Sequence, residues 1–461
     1  MSSHYDLAII GSGSGNSIVD ERFADRRVAL LEKGIFGGTC LNVGCIPTKM
    51  FVYPADLALG AAAHGDALGV ETHVDRVRWI EIRDRIFGRI DPISAGGRRW
   101  RAEDNPNVSL FEAHARFVDD RTIDTGTGET ITADQVVIAT GSRPMLPEID
   151  GIDSVTVHTS DTVMRIDELP RRVLIVGGGF VAAEFAHVFG AFGSQVTIAN
   201  RSGAMLRAED EEISAVFTRS AQQRWDVRLD TEVARLEPHG DAIRAHLSDD
   251  SVSDVDLVLL ATGRLPNSDA LGLDHTGVDV DADGIVVVDE HQRTTADGIW
   301  ALGDVANAFQ LKHVANLEAR VVQHNLLHPD ALISSRHDVV PSAVFSNPQV
   351  SSVGLTEREA VARGVAHVIG RQQYGGTAYG WAMEDTTSFA KVLADPETGQ
   401  LLGAHFLGPQ ASNLIQPIIQ AMSFGQSAHE VARGQYWIHP ALAEVVENVL
   451  LALPEPTGTS R

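Results

Sequence analysis

Cysteine occurs only twice in this chain of 461 residues, in the run Gly37-Gly38-Thr39-Cys40-Leu41-Asn42-Val43-Gly44-Cys45-Ile46-Pro47-Thr48-Lys49. One close pair in so long a chain is not a disulfide scaffold. Two thiols this near can cycle between disulfide and dithiol and so pass two electrons. In a continuous α-helix, residues five apart have Cα atoms roughly 8 to 9 Å apart, whereas a disulfide needs less than about 7 Å. The pair therefore requires distorted backbone, which Gly37, Gly38, Asn42 and Gly44 permit.

Two glycine-rich turns must position that chemistry. The first is Leu7-Ala-Ile-Ile-Gly11-Ser-Gly13-Ser14-Gly15-Asn16, and the second is Val173-Leu-Ile-Val-Gly177-Gly-Gly179-Phe-Val181. Each follows a short apolar run and precedes a segment read as helix. Each also leads to a second apolar strand, Val28–Leu31 and Gln195–Ala199. This predicts two βαβ dinucleotide-binding units about 165 residues apart. A near-repeat supports the duplication: Val136-Val-Ile-Ala-Thr140-Gly141 matches Leu257-Val-Leu-Leu-Ala-Thr262-Gly263. Between Ala58 and Ala102 a polar, helix-rich stretch is expected to pack over the first unit. From about Val340 onward short strands, Ser342–Phe345, Phe389–Leu393 and Leu401–Leu407, surround a helical segment at Leu414–Phe424. That pattern predicts an α+β C-terminal domain with an antiparallel sheet.

The two units differ where a nucleotide's sugar is read. Glu32 ends the second strand of the first unit, about twenty residues after its glycines, where a carboxylate can bind ribose hydroxyls. Asn16 stands where a third glycine is usual. In the second unit the matching strand ends without an acid, and Asn200, Arg201 and Arg207 follow. Two cations there favour a 2′-phosphate and hence NADPH over NADH. Asp304 ends a further strand in Ile299-Trp-Ala-Leu-Gly303-Asp304 and is positioned to bind a sugar chain.

Composition excludes other classes. The 62 acidic and 37 basic residues leave a net charge of −25, which disfavours nucleic acid and anionic membrane as partners. No apolar run is long enough to span a bilayer and none reads as a signal peptide. A cytoplasmic location is expected, and there a lone cysteine pair is catalytic more often than structural. Pro454–Arg461 reads as a disordered tail, and no metal site is expected.

The cysteine array, both glycine turns, Gly303-Asp304 and His439-Pro-Ala-Leu-Ala-Glu444 together resemble the disulfide-reductase flavoproteins, the pyridine nucleotide-disulfide oxidoreductases that include glutathione reductase, dihydrolipoamide dehydrogenase and mercuric reductase. The motifs run in family order over nearly the whole chain. Gly13–Arg22, Thr48–Tyr53, Tyr379–Asp385 and Arg433–His439 look like the actinobacterial branch that reduces mycothione.

The resemblance implies an α/β fold with two Rossmann-like domains and an α+β dimerisation domain. The expected boundaries are 1–166 and 265–338 for the two parts of the FAD-binding and central region, 167–264 for NADPH, and 339–461 for dimerisation. It implies FAD contacts from Gly11, Gly13, Ser14, Gly15, Glu32, Thr39, Lys49, Ala115, Gly141, Asp304 and Lys312. It implies NADPH contacts from Gly177, Gly179, Val181, Glu184, Arg201, Arg207 and Gly263, with Glu184 paired to Lys49 beside the flavin. By the same resemblance Cys45 is the thiol nearer the flavin and Cys40 the one that attacks a low-molecular-weight disulfide. His439, oriented by Glu444, serves as acid–base partner from the other subunit of a homodimer.

Rival substrates remain within the family. A dihydrolipoamide dehydrogenase would want an acid where Asn200-Arg201 stand. A glutathione reductase would carry an arginine on the first helix where this chain has Glu21, although Arg320, at a second glutathione-contact position, is retained. Glu21 is accordingly expected beside the substrate cleft, on a helix that starts at the first glycine turn. A flavin-bearing redox sensor without turnover is the remaining, non-enzymatic alternative.

Overall fold

The computed structural model describes residues 3–63 and 68–458. The first glycine turn lies at the carboxyl end of an interior strand of a seven-stranded sheet. In it Ser3–Ile10 pairs in parallel with Val28–Leu31 on one side and Thr130–Ile138 on the other, and Val28–Leu31 pairs with Val108–Phe111. Ile299–Ala301, from far downstream, joins the same sheet parallel to Val136–Ile138. A second, five-stranded parallel sheet is built around Arg172–Val176, with Gln195–Asn200 and Leu257–Leu260 as its neighbours. Ser142–Pro144 and Arg264–Pro266 pair antiparallel between the two units. The C-terminal part is a five-stranded antiparallel sheet, in which Phe389–Ala394 lies between Val368–Gln373 and Leu401–Leu407.

The strands read as continuous apolar runs because parallel strands in a doubly covered sheet are buried on both faces. Leu7, Ala8, Ile9, Val173, Leu174 and Ile175 are all fully buried. The duplicated motifs also pack alike. A Cβ on Gly11 would stand 2.3 Å from the carbonyl oxygen of Ala139, and one on Gly177 would stand 2.3 Å from that of Ala261. Each Ala-Thr-Gly strand end therefore presses on the first glycine of its own unit, and only glycine fits there.

Helices Cys45–Ala63, Trp79–Arg99 and Phe180–Ala191 are held together by aromatic packing. Phe51 stacks on Trp79 at 5.0 Å and Trp79 on Phe189 at 6.1 Å, while the Trp79 indole donates to the Ile166 carbonyl at 2.9 Å. The expected helix-rich stretch is thus two long helices; residues 64–67 of it lie outside the described residues. The expected helix over 414–424 is broken into Ala411–Leu414 and Gln416–Phe424.

Two expectations fail. The C-terminal tail is docked rather than loose: Thr457 and Gly458 donate to the carbonyls of Pro396 and Glu397 at 3.0 and 2.9 Å, and Glu455 pairs with Arg433 at 2.5 Å. Only its last three residues lie outside the described ones. The helix expected after the first glycine turn is also absent. Between Ile10 and Val28 there are only two 3-10 turns, Gly15–Ser17 and Glu21–Phe23. Asp20, extended at φ −132° and ψ −165°, accepts from the Arg22 amide and starts a new turn instead of continuing an old one.

The carbonyls this leaves without helical partners are taken by remote side chains. Arg101, 2% exposed, donates to the Asn16 carbonyl, the Asn16 side chain and the Val19 carbonyl, each at 2.7 Å. Gln323 donates to the Ile18 carbonyl at 2.6 Å. Burial pushes the Arg101 pKa down to about 10, so it still carries its charge at neutral pH. Arg101→Met strips these acceptors of a charged donor. It should cost roughly 2 to 4 kcal/mol in urea unfolding of the holoprotein; a loss below about 0.5 kcal/mol would show that the segment holds itself.

Candidate active site

Cys40 lies in the short helix Gly38–Asn42, and Cys45 is the first residue of the helix Cys45–Ala63. The break demanded by the thiol spacing falls at Val43, with φ −143° and ψ 11°, and at Gly44. Asn42, 2% exposed, holds the break by donating to the carbonyls of Phe36 at 2.9 Å and Gly38 at 3.0 Å. Gly38 has φ +69°, and a Cβ on it would come within 2.7 Å of the Gly13 Cα. The thiol segment is thereby seated directly on the first glycine turn.

No disulfide joins Cys40 and Cys45 in this structure. Hydrogen bonding from the neighbouring Cys40 thiol, with the nearby Lys49 cation, draws the Cys45 pKa down to about 7 against the opposing effect of burial. A position at the N-terminus of a long helix acts in the same direction. The hydrogen bond to Cys45 and burial push the Cys40 thiol up. Within the chain, the surroundings thus favour ionisation of Cys45 over Cys40.

Lys49, one turn along that helix, reaches both carboxylate oxygens of Glu184 at 2.7 Å. Glu184 is 3% exposed on helix Phe180–Ala191 and also accepts from the Phe345 amide at 2.9 Å; the Lys49 ammonium sits 4.8 Å from the centroid of the Phe345 ring. Further along the same two helices, buried His187 bonds Asp56 at 2.7 Å. The cation beside the thiols is therefore clamped by the second unit and by the C-terminal segment.

The thiols open on a cavity of about 780 Å³. Gly11, Gly13, Ser14, Glu32, Thr39, Lys49, Ala115, Gly141, Asp304 and Lys312 all line it, and so do Val181 and Glu184 from the second unit. Gly15 is buried, and a Cβ on it would come within 2.8 Å of the Ala139 side chain and 2.9 Å of the Ile9 side chain. Glu32 is more constrained than its sequence context suggests. One oxygen accepts from the Ser12 amide at 2.8 Å and hydroxyl at 2.6 Å, and the other from the Gly34 amide at 2.7 Å. Asp304 accepts from the Ser142 hydroxyl at 2.7 Å, and Lys312 donates to the Ser14 hydroxyl at 2.8 Å.

The cavity suits a flavin dinucleotide. A carboxylate faces it from a strand end, where ribose hydroxyls can donate. Lys312 opens the sixteen-residue helix Lys312–Leu327, so a cation and the positive end of a long helix face the cavity together. That long helix, not the three-residue turn after Ser14, carries the positive end expected near a pyrophosphate. The buried Asn42 side-chain oxygen, also on the wall, has no partner among the described residues.

Two residues on or beside the wall escaped the sequence reading: Ser12 orients Glu32, and Phe180 presents a half-exposed ring to the cavity, while Asn42, expected to permit the helix break, also braces it. Only Phe180 left a signal, as an aromatic directly after three glycines, where a ligand ring has a flat surface to pack on.

Gly177, Gly179 and Gly263 lie at the carboxyl ends of the second parallel sheet, outside this cavity. Arg201 and Arg207 are exposed on the loop after Gln195–Asn200, and among the described residues their guanidinium groups have no hydrogen-bond partner. Asn200 points inward, donating to the carbonyls of Ser202 and Ala204 at 2.9 Å.

His439 and Glu444 form a pair of their own. Nδ1 of the imidazole meets Glu444 Oε1 at 2.7 Å, and the same carboxylate accepts from the Ala441 amide at 3.2 Å. The hydrogen bond to His439 holds the Glu444 carboxyl below its ordinary range. His439 is 70% exposed and does not line the cavity, so one chain does not bring it to its own thiols. Neighbouring Tyr436 and Ile438 are also exposed. Glu21 is exposed on a 3-10 turn and is not on the cavity wall, which removes the helix that was expected to carry it past the cleft.

Comparison with known proteins agrees from end to end. Residues 5–319 match the pyridine nucleotide-disulphide oxidoreductase family, and residues 340–450 match its dimerisation domain. Mycothione reductase of Mycobacterium tuberculosis is 53% identical over 97% of this chain and 99% of its own length. Glutathione reductase of Burkholderia cepacia is 32% identical over 95% of this chain and 97% of its own. The HOCl-induced flavoprotein disulfide reductase RclA of Escherichia coli superposes with a TM-score of 0.86 at 28% identity, covering 98% of this chain and 99% of that one. Two dinucleotide turns, a thiol pair on the wall of one cavity, and a match that runs through both regions leave one assignment: the chain belongs to the pyridine nucleotide-disulphide oxidoreductase family.

Proposed function

We propose that this protein is an FAD- and NADPH-dependent mycothione reductase that acts as a cytoplasmic homodimer. The observation that carries the reaction type is the Cys40–Cys45 pair on the cavity wall beside the Lys49 cation, which helps draw the Cys45 pKa down to about 7. The substrate follows from the 53% identity to a mycothione reductase against 32% to a glutathione reductase. The chain contains the family's dimerisation domain, and among the described residues no helix is long and apolar enough to cross a membrane.

Gly11, Gly13, Ser14, Glu32 and Lys312 would hold FAD, with Thr39, Ala115, Gly141 and Asp304 completing its cradle. Gly177, Gly179, Val181, Gly263, Arg201 and Arg207 would hold NADPH. Together the bound cofactors supply the two electrons that keep Cys40 and Cys45 as a dithiol.

The chain's own residues then carry the substrate half-reaction. Cys40 gives its proton to the imidazole of His439 of the partner subunit, and the Cys40 thiolate attacks one sulfur of the substrate disulfide. One S–S bond breaks as a mixed disulfide forms, and the leaving thiolate takes the proton back from the imidazolium. The Cys45 thiolate attacks Cys40, releasing the second thiolate and restoring the Cys40–Cys45 bond. Glu444 fixes the tautomer of His439 and stabilises its charged form. Lys49, held by Glu184, favours negative charge beside Cys45.

Anaerobic NADPH oxidation with mycothione, glutathione disulfide and lipoamide tests the reading. A cleft built to hydrogen-bond a sugar–inositol amide discriminates against substrates lacking those groups, so kcat/KM for mycothione should exceed the others by about 100-fold or more. Equal or better turnover of glutathione disulfide would reassign the substrate. Absence of turnover with every disulfide would favour a redox sensor.

A further inference from the structure

Arg207 stands on the segment 201–210, which joins strand Gln195–Asn200 to helix Glu211–Arg224. Its immediate neighbour is held in an unusual conformation. Leu206, 4% exposed, has φ +51°, a left-handed backbone that a bulky side chain adopts only when its surroundings impose it. On one side the restraint comes from the second unit itself: the Leu206 amide donates to the carbonyl of Gly178, inside the glycine turn, at 2.8 Å.

On the other side the restraint comes from the C-terminal domain. Asp210 and Lys391 are each 1% exposed, and the Lys391 ammonium reaches the two Asp210 oxygens at 2.9 and 3.0 Å. Lys391 lies on strand Phe389–Ala394 and also meets Glu357 at 2.6 Å and Glu212 at 3.2 Å. Ser352 donates to Glu209 at 2.5 Å. Arg358 donates to the carbonyl of Arg207 itself, and pairs with Glu211, both at 3.3 Å. The contacts from the C-terminal domain thus converge on residues 207–212.

We propose that Lys391, through Asp210, is a positioning residue for nucleotide selection: the C-terminal domain sets where Arg207 presents its guanidinium to the 2′-phosphate of the nicotinamide nucleotide, with Arg358 bracing the Arg207 backbone. The inference rests on the reading of Arg201 and Arg207 given above. A buried ion cluster is poor evidence of stability, because desolvation offsets much of its attraction, but it defines register strictly. Removing Lys391 leaves Asp210 buried without its cation, and the strained turn at Leu206 loses the buried one of its anchors on the C-terminal side. A charge-assisted contact to phosphate depends on geometry, so a small displacement of Arg207 weakens it.

The test uses the FAD-loaded dimer and compares wild type with Arg207→Gln, Lys391→Met and Arg358→Ala. The readouts are KM for NADPH and for NADH, and binding of 2′,5′-ADP against 5′-AMP by calorimetry. Lys391→Met should raise the KM for NADPH and weaken 2′,5′-ADP by about tenfold, while NADH and 5′-AMP change less than about twofold. Arg358→Ala should move the same ratio by about threefold. Arg358 is exposed and outside the buried cluster, so it carries the test should Lys391→Met fail to fold.

Wild-type nucleotide selectivity in Arg358→Ala and in folded Lys391→Met, with selectivity lost in Arg207→Gln, overturns the positioning role and leaves the arginine reading intact. Unchanged selectivity in Arg207→Gln overturns the arginine reading and the positioning role with it. Equal losses for both nucleotides in Lys391→Met would mark the cluster as domain packing and also overturn the proposal.

Discussion

Homodimers of Cys40→Ser and of His439→Ala should each retain less than about one-thousandth of wild-type disulfide turnover, because one lacks the nucleophile and the other the acid–base group. Mixed dimers that combine the two variants should recover about half the wild-type activity. The reason is the separation of the two groups within one chain. The thiols line the cavity, whereas His439 is 70% exposed on a different part of the molecule with its Nδ1 already committed to Glu444. If each site takes Cys40 from one subunit and His439 from the other, a mixed dimer holds one intact site and one doubly defective site. Purification through two different affinity tags isolates that species. No recovery in verified mixed dimers would place both groups in one subunit's site.

Cys45→Ser should abolish turnover as completely, since nothing would then release the product held on Cys40 as a mixed disulfide. The same variant tests which thiol is ionised. In the FAD-loaded protein, long-wavelength charge-transfer absorbance should be present in Cys40→Ser without added reductant and absent in Cys45→Ser. In the two-electron-reduced wild type that band should be lost as pH falls through about 7, because the Cys45 pKa is lowered to about 7 and its thiolate exists only above it. Lys49→Met removes a cation that stabilises the thiolate, so the midpoint should move to higher pH. Cys40→Ala removes the hydrogen bond that is the largest stabilising cause, so it should move the midpoint the same way. A band surviving in Cys45→Ser would exchange the roles of the two thiols.

The sequence by itself determined what is local and periodic. Apolar runs ending in glycine specify buried parallel strands with tight turns, so both dinucleotide units were legible, as was the antiparallel character of the C-terminal part. The five-residue thiol spacing required a helix break, and the break lies at Val43–Gly44. The Lys49–Glu184 pair was legible only through the family pattern, since its members lie 135 residues apart.

Tertiary structure decided the rest. The segment after the first glycine turn has helix-like composition, yet it forms no α-helix. Asp20 caps a new turn, and Arg101 and Gln323, which lie far away in sequence, take the carbonyls. Side-chain hydrogen bonds from distant segments leave no local periodicity, so no reading of residues 11–27 alone exposes them. The same holds for the ionisation of Cys45, which depends on a thiol and a cation brought together by a backbone break. It holds also for Arg207, whose sequence neighbours say nothing of the lysine 184 positions downstream that anchors its loop. Backbone preferences act over a few residues, whereas pKa values and side-chain positions are set by whatever the fold packs within a few ångströms, and that is decided only when the distant segments meet.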